Sequence, residues 1–309
     1  MSIQVVFLGT SGSVPTLKRS LPCVVVQCSP EQWMFDCGEN VQHQMIAAKV
    51  SFHRRMKIFI SHLHGDHVLG LPGLLQTMAL MGRKEPLQVY GPTGLKKFID
   101  CTKETFNFGL TYPVEINEIC SEGSICDQEQ YHIRAVKSNH AVEGYCFAFI
   151  EKPRPGRFYP NKAMAHGIVA GELWSMLQRG QEVTAPNGTI VKPSDVMGPM
   201  RQGRKIIYTG DTKPFAAFGE FASNADLVIH DATFDDALKE KADTDGHSTA
   251  SQAAEQAKMA QAKCLVLSHI SARYPDGSLL LEQAKKVFPN SILAEDYMSL
   301  ELPLSEELL

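Results

Sequence analysis

The sequence predicts an α/β fold built in layers, with an insertion over residues 152–205. Two observations carry this prediction. Apolar runs of strand length alternate with segments of helical periodicity, which is typical of sheets covered by helices. Polar residues suited to metal binding or acid–base chemistry directly follow several of these strand-like runs. Because sites in α/β sheets form beyond the carboxyl ends of strands, we expect these residues to converge on one crevice.

The first half of the chain contains most of the predicted strands. They are found at Ile3–Leu8, Cys23–Gln27, Trp33–Phe35, Ile58–Ile60, Leu87–Tyr90, His132–Val136 and Tyr145–Ile150. Asn40 is a candidate cap for a short helix, and a longer helix is expected over Leu71–Met81. Pro92 is expected in the first turn of a further helix, because proline is favoured there.

Regular structure resumes after the insertion. Strands are expected at Lys205–Tyr208, Asp226–His230 and Cys264–Leu267, followed by a final helix and a short strand. A helix is expected from about Ser248 to Gln261, with Ser248 or Thr249 as its cap.

The segment from 152 to 205 differs from the rest in composition. It is rich in Gly and Pro and has few apolar runs, so we expect an insertion within one domain spanning 1–309 rather than a second folded domain. Its nine Lys and Arg against three Asp and Glu give a net charge of +6, whereas the rest of the chain carries −10. A basic arm on an acidic body favours contacts with phosphates that position a substrate.

The composition excludes several classes of protein. The chain is 44% hydrophobic and 21% charged, which is typical of a globular protein. No apolar run approaches the roughly 20 residues of a membrane span, and the first residues do not resemble a signal peptide. The eight cysteines form no CxxC pair, so buried reduced thiols and a cytoplasmic location are expected.

The densest chemical signal follows the strand at Ile58–Ile60. His62, His64, Asp66 and His67 supply three imidazoles and a carboxylate within six positions. These are ligands that zinc accepts. In extended backbone the side chains at 62, 64 and 66 would point one way and that of His67 the other, so one loop could serve two metal ions.

Further candidates follow other strand-like runs. His140, Asp211 and His269 would complete two coordination spheres, with the two oxygens of Asp211 available to bridge two metals. Such a pair lowers the pKa of bound water and suits hydroxide attack on a phosphodiester. His247 is the candidate proton donor to the leaving oxygen, and Asp231 the carboxylate that could hold its other nitrogen.

These motifs resemble the ribonuclease Z family of the metallo-β-lactamase superfamily, whose signature is His62-x-His64-x-Asp66-His67. The resemblance runs in order from Val5 to about Tyr274. It is carried by Gly9–Gly12 with Pro15, Phe35–Glu39 with Gln42–Gln44, Ile60–His67, Gly70–Leu74, Tyr90–Pro92, Gly210–Thr212, His247–Ala250 and Ser268–Tyr274.

The resemblance implies a four-layer αβ/βα metallo-β-lactamase sandwich and a homodimer. It also implies a zinc-dependent endoribonuclease that removes the 3′ trailer of precursor tRNA, leaving a tRNA 3′ hydroxyl and a trailer with a 5′ phosphate. The insertion would be the projecting arm that grips the tRNA.

The family pattern also implies roles for individual residues. Asp66 would help activate the bridging water, and His247 would donate the proton. The two zinc ions would be held by His62, His64, His140 and Asp211, and by Asp66, His67, Asp211 and His269.

Two positions depart from the family pattern, and alternatives to it exist. Gly171-Glu172 stands where the arm usually has Gly-Pro, and Asp231 stands where the family favours Glu. The oxygen ligands Asp66 and Asp211 also admit Mn²⁺. A small-molecule phosphodiesterase or another metallo-β-lactamase-type hydrolase is the first alternative, and it would need a closed pocket instead of a basic arm. A nucleic-acid-binding protein with structural metals is the second, but such sites are usually rich in thiolates.

Overall fold

A computed structural model describes residues 2–304. The chain divides into two compact units. The first contains the residues up to Ile150 together with Lys205–Pro303, and the second contains Glu151–Arg204. The candidate site residues named above all belong to the first unit.

The described residues contain eighteen strands and eleven α-helices. The strands are β1 (Ile3–Gly9), β2 (Ser11–Gly12), β3 (Cys23–Cys28), β4 (Glu31–Phe35), β5 (Arg55–Phe59), β6 (Leu87–Gly91), β7 (Val114–Glu118), β8 (Gly123–Asp127), β9 (Tyr131–Lys137), β10 (Tyr145–Glu151), β11 (Val183–Thr184), β12 (Ile190–Val191), β13 (Lys205–Tyr208), β14 (Leu227–Asp231), β15 (Leu265–Ser268), β16 (Ile270–Ser271), β17 (Ser291–Leu293) and β18 (Ser299–Leu302). The helices are α1 (Val41–Ala47), α2 (Gly65–Val68), α3 (Gly70–Leu80), α4 (Leu95–Phe106), α5 (Pro160–Ala165), α6 (Glu172–Gln178), α7 (Pro193–Val196), α8 (Phe218–Phe221), α9 (Lys239–Asp245), α10 (Ala250–Met259) and α11 (Ser278–Val287), with a 3₁₀ turn at Asp236–Leu238.

Two seven-stranded sheets form the frame of the first unit. Their strand orders are β18-β1-β3-β4-β5-β6-β7 and β17-β15-β14-β13-β10-β9-β8. Within each sheet, three successive strands run parallel to one another: β4, β5 and β6 in the first sheet, and β13, β14 and β15 in the second. Their carboxyl ends therefore meet at one edge of each sheet.

Three apolar clusters organise these sheets into four layers. One cluster joins side chains of both sheets, including Phe35 and Phe59 of the first and Phe147 and Tyr208 of the second. Side chains alternate along each strand, so the other faces pack against helices. A second cluster joins the first sheet to α1, α3 and α4, and a third joins the second sheet to α8, α10 and α11. The predicted four-layer αβ/βα sandwich is confirmed.

Most predicted elements of this unit are present within a few residues of their expected ends. Pro92 is an exception, because α4 begins only at Leu95, after Gly94 with a φ of 100°. Asn40 precedes α1 but makes no side-chain capping bond. Thr249, one of the two proposed caps, accepts a hydrogen bond from the backbone N–H of Gln252 and so caps α10.

The second unit has more internal order than its composition suggested. It contains α5–α7 and the β11–β12 hairpin, and a small apolar cluster fills it, with Ile168, Leu177, Val191 and Val196 buried. Its two ends are held together by Arg204, whose guanidinium pairs with both carboxylate oxygens of Glu151 at 2.9 Å.

The departure at Gly171-Glu172 fits the start of α6. Glu172 is the first residue of that helix, where proline and acidic residues are both favoured.

All eight cysteines are free thiols, but Cys101 and Cys120 are exposed rather than buried as expected. Within residues 2–304, no helix is long and apolar enough to cross a membrane.

A candidate metal centre at the strand ends

The candidate ligands gather where strands of both sheets end. His62 follows β5, and α2 then carries Asp66 and His67. His140, Asp211 and His269 follow β9, β13 and β15 of the second sheet. The structure thus brings together all seven candidate metal ligands, in two groups.

The first group contains His62, His64, His140 and Asp211. Nδ1 of His64 lies 3.0 Å from Nε2 of His62 and 3.2 Å from Nε2 of His140. Oδ2 of Asp211 lies 3.6 Å from Nε2 of His62 and 4.0 Å from Nε2 of His140. Three ring nitrogens and one carboxylate oxygen therefore face a common point.

The second group contains Asp66, His67 and His269, with the other oxygen of Asp211. Nε2 of His67 and Nε2 of His269 lie 3.3 Å apart, and each lies 3.5 Å from Oδ2 of Asp66. Oδ1 of Asp211 lies 3.3 and 3.2 Å from the same two nitrogens.

The local backbone differs from the extended form expected after β5. His64 is extended and precedes the helical turn α2, which holds Asp66 and His67. As a result Asp66 and His67 face the same group, whereas the expectation from strand alternation placed Asp66 with His62 and His64. The expectation was wrong because the alternation of a strand ends where the helix begins.

The donor set fits metal ions. Asp211 is 3% exposed, and its Oδ1 is buried without a hydrogen-bond partner among the described residues. A buried carboxylate oxygen without a partner is costly unless a cation or proton balances it. Imidazole nitrogens and carboxylate oxygens also suit Zn²⁺, with Mn²⁺ as an alternative for the oxygens.

The ligand imidazoles are oriented through their other nitrogens. Nδ1 of His62 lies 3.0 Å from the Ser61 hydroxyl, and Nδ1 of His140 lies 2.8 Å from the carbonyl oxygen of Gly246. Nδ1 of His269 lies 2.7 Å from the hydroxyl of Thr233. Such contacts fix the ring so that the opposite nitrogen presents its lone pair to a metal.

Asp36 orients the imidazole of His67 in the same way. Its position after a strand-like run predicts that it reaches the crevice, but sequence reasoning assigned it no role there. Its Oδ2 lies 2.6 Å from Nδ1 of His67 and accepts a hydrogen bond from the hydroxyl of Tyr208, also at 2.6 Å. The backbone N–H and the hydroxyl of Ser61 donate to its two oxygens. Its place directly after β4, beside other strand-end acids, was the available signal.

His247 and Asp231 form a buried pair beside the two groups. Nδ1 of His247 lies 2.8 Å from Oδ2 of Asp231, so the shorter aspartate does reach the imidazole. The other oxygen of Asp231 accepts hydrogen bonds from the backbone N–H and the hydroxyl of Thr233. Thr233 was also missed by sequence reasoning.

The pKa shifts of His62 and Asp211 favour the forms that bind metals. Burial lowers the pKa of His62 well below its usual value, with a further contribution from His67. Burial alone would raise the pKa of Asp211, but the imidazoles of His269, His67 and His62 outweigh it and hold that pKa well below its usual range. An ionised carboxylate and a neutral imidazole are the forms that bind metals.

Two histidines have a raised pKa because carboxylates outweigh the effect of burial. The carboxylates of Asp211 and Asp36 raise the pKa of His67. The surroundings of its imidazole therefore favour a positive charge, which either a proton or a metal ion can supply. For His247 the carboxylate of Asp231 raises the pKa to about 9.

Comparisons with known proteins agree with this geometry. A family model described as "Anti-Pycsar protein Apyc1" matches residues 3–150, and one described as "Beta-lactamase superfamily domain" matches residues 176–270. The ribonuclease Z of Methanosarcina acetivorans is 45% identical over 306 residues, covering 99% of this chain and 100% of that protein. The ribonuclease Z of Archaeoglobus fulgidus is 43% identical over 309 residues, with 99% and 100% coverage. The crystal structure of the short form of human tRNase Z is 31% identical with a TM-score of 0.71, covering 97% of this chain and 99% of that one.

Proposed function

The chain belongs to the ribonuclease Z family, and on that premise we propose that its metal centre removes the 3′ trailer of precursor tRNA. The products would be a tRNA with a 3′ hydroxyl and a trailer with a 5′ phosphate. The observation that carries the proposal is the sharing of Asp211 between two groups of His and Asp ligands.

We assign the two groups to two zinc ions. His62, His64, His140 and Asp211 would hold the first, and Asp66, His67, Asp211 and His269 the second. When bound, such a pair supplies Lewis-acid charge and a water of lowered pKa for in-line attack at phosphorus. Mn²⁺ is the alternative occupant.

Asp66 and His247 would handle the protons of the reaction. Oδ2 of Asp66 accepts a hydrogen bond from the backbone N–H of Ser13 at 2.9 Å, which fixes the carboxylate, and it is proposed to accept a proton from the attacking water. Asp231 occupies Nδ1 of His247 and leaves Nε2 as the nitrogen that can donate to the leaving oxygen. The raised pKa of His247 keeps this donor protonated at neutral pH.

The insertion, Glu151–Arg204, is proposed as the arm that binds the body of the tRNA. Glu151 forms an ion pair with Arg204, and its Oε1 also lies 3.7 Å from Nε of Arg154. The basic side chains further along include Lys162, whose ammonium lies 4.8 Å from the centre of the Tyr159 ring. Such charges suit phosphate contacts that position the substrate without reading its sequence.

A homodimer and a cytoplasmic location are proposed from the family resemblance and the reduced cysteines, and both stay predictions. A small phosphodiester is the alternative substrate, since the metal chemistry would be the same.

The test is cleavage of a trailer-bearing precursor tRNA, with the cut mapped to the nucleotide, before and after chelation. We expect a cut at the 3′ end of the acceptor stem that is lost with the metal and restored by added Zn²⁺ or Mn²⁺. His64→Ala should abolish the cut with the fold retained, whereas His53→Ala, which removes an exposed histidine, should not. A precursor left intact by the metal-loaded protein, with a small phosphodiester still hydrolysed, would refute the substrate but not the metal chemistry.

A further inference from the structure

The side of the metal centre next to His247 carries a positively charged side chain, Arg273, to which the proposed reaction assigns no role. The guanidinium carbon of Arg273 lies 5.1 Å from the centroid of the Phe234 ring. Phe234 in turn contacts the imidazole of His247, with ring centroids 6.0 Å apart and planes inclined by 69°. The ring of Phe234 therefore contacts both this cation and the proposed proton donor.

The loops that carry these residues are fastened to one another. The backbone N–H of Ala250 donates to the carbonyl oxygen of Phe234 at 3.0 Å, which ties Phe234 to the segment that follows His247. The backbone N–H of Asp235 donates to the hydroxyl of Tyr274 at 2.9 Å, which ties the same loop to the residue after Arg273. The loop that carries Phe234 is thus joined both to the segment after His247 and to Tyr274, the neighbour of Arg273.

The guanidinium of Arg273 is available to bind an anion. Its side chain is exposed, its Nε donates to the Ser271 hydroxyl at 3.2 Å, and it makes no ion pair within residues 2–304. Lys241, the other cation over the same ring at 5.6 Å, is already paired with Asp245 at 2.7 Å.

The acidic residues near Arg273 in the surrounding loops are engaged elsewhere. Asp235 accepts from the backbone N–H of Leu238, and Asp276 accepts from the backbone N–H and hydroxyl of Ser278. Asp236 accepts from the backbone N–H and hydroxyl of Ser251. These carboxylates cap turns and helices, and none of them forms an ion pair with Arg273 among the described residues, so its guanidinium is available to an external anion.

We propose that Arg273 binds the phosphate immediately 5′ of the cleaved bond, on the strand that becomes the tRNA 3′ end. The proposal rests on the function proposed above. His247 serves the leaving 3′ oxygen, so a cation beside it meets the nucleotide to which that oxygen belongs. A guanidinium can bind two phosphate oxygens at once, and its stacking on Phe234 reduces the side-chain freedom lost on binding.

The test compares two precursor tRNAs in single-turnover cleavage. One is unmodified, and the other carries a neutral methylphosphonate at the linkage immediately 5′ of the cut. On the unmodified precursor, Arg273→Ala should lower kcat/KM about ten- to a hundred-fold, as expected for a hydrogen bond to a charged group. On the methylphosphonate precursor, the wild type should be slowed by a similar factor and Arg273→Ala should add little to it.

Two further variants complete the design. Arg273→Lys keeps the charge but not the two-pronged geometry and should be intermediate on the unmodified precursor. Arg55→Ala is the matched control, because Arg55 is exposed and begins β5, at the end opposite to His62.

The outcomes separate the two proposals. If Arg273→Ala lowers cleavage by the same factor on both precursors, the residue does not act through this phosphate and the inference is overturned. Insensitivity of the wild type to the methylphosphonate would overturn it as well. Failure of the metal-loaded wild type to cut the unmodified precursor would instead refute the proposed function and remove the basis of the inference.

Discussion

Oδ2 of Asp36 lies 2.6 Å from Nδ1 of His67, and both side chains are fully buried. The contact joins the residue that follows β4 to a candidate ligand carried by α2. The same oxygen accepts the Tyr208 hydroxyl from the second sheet, so one carboxylate orients a ligand and links the two sheets at the metal-binding edge.

Asp36→Asn is expected to weaken metal binding. The amide is neutral and less able to hold the Nδ1–H of His67, so Nε2 becomes a poorer ligand. Loss of such an outer partner typically costs about 10- to 100-fold in metal affinity. The measurement is zinc affinity by competition with a chelating dye. Tyr208→Phe should have a smaller effect because it removes one hydrogen bond and keeps the carboxylate; equal affinity in Asp36→Asn and wild type would contradict the role of Asp36.

Asp231→Asn should change the pH dependence of cleavage. The carboxylate raises the pKa of His247 to about 9, so the donor is protonated below that pH and its proton is lost above it. Removing the negative charge lowers this pKa, and the alkaline limb of the kcat profile should move to lower pH. The exposed Asp243 gives the control variant Asp243→Asn, whose profile should match the wild type. An unmoved alkaline limb in Asp231→Asn would argue against His247 as the proton donor.

Gly246→Ala is expected to displace His140. Gly246 has a φ of 85°, and a Cβ at this position would lie 2.7 Å from Nδ1 of His140. Gly180 offers a matched control, since its φ of 84° imposes the same backbone strain but a Cβ there would meet no atom within 4 Å. Each variant should lose about 1–2 kcal/mol of folding stability to the left-handed backbone. Only Gly246→Ala should lower metal content and activity, and comparable losses in both variants would exclude the clash as the cause.

Deletion of the insertion should slow the cleavage of precursor tRNA but not the hydrolysis of a small phosphodiester. Ile150 and Lys205 are paired across antiparallel β10 and β13. Glu151 can therefore be joined to Arg204 by an Asn-Gly turn that replaces all the residues between them. This deletion removes the basic arm and keeps the candidate ligands. We expect precursor tRNA to be cut much more slowly while a small phosphodiester is still hydrolysed. Equal loss on both substrates would count against a gripping role.

The gathering of the candidate ligands could be predicted from the sequence because they follow strands and are crowded in one motif. His62, His64, Asp66 and His67 lie within six positions, and His140, Asp211 and His269 each follow a predicted strand. The sandwich was predicted because the family motifs run in order along most of the chain.

What the sequence did not predict depends on contacts between distant segments. Asp36 meets His67 across 31 positions, and Thr233 meets His269 across 36. No local pattern marks such pairs. The order of the insertion was underestimated for a similar reason, because its core is made of isolated apolar residues such as Ile168, Leu177 and Val191 that form no run.

Because the candidate ligands come from both sheets, metal binding is linked to folding. Each group takes side chains from both sheets: His62 and His64 meet His140 and Asp211, and Asp66 and His67 meet Asp211 and His269. A cation in either group therefore acts as a cross-link between the two halves of the sandwich. The free energy of its binding adds to that of folding, by about 4 kcal/mol when the free metal is a thousand-fold above its Kd. Removal of the metal would therefore lower the stability of the folded chain as well as its activity.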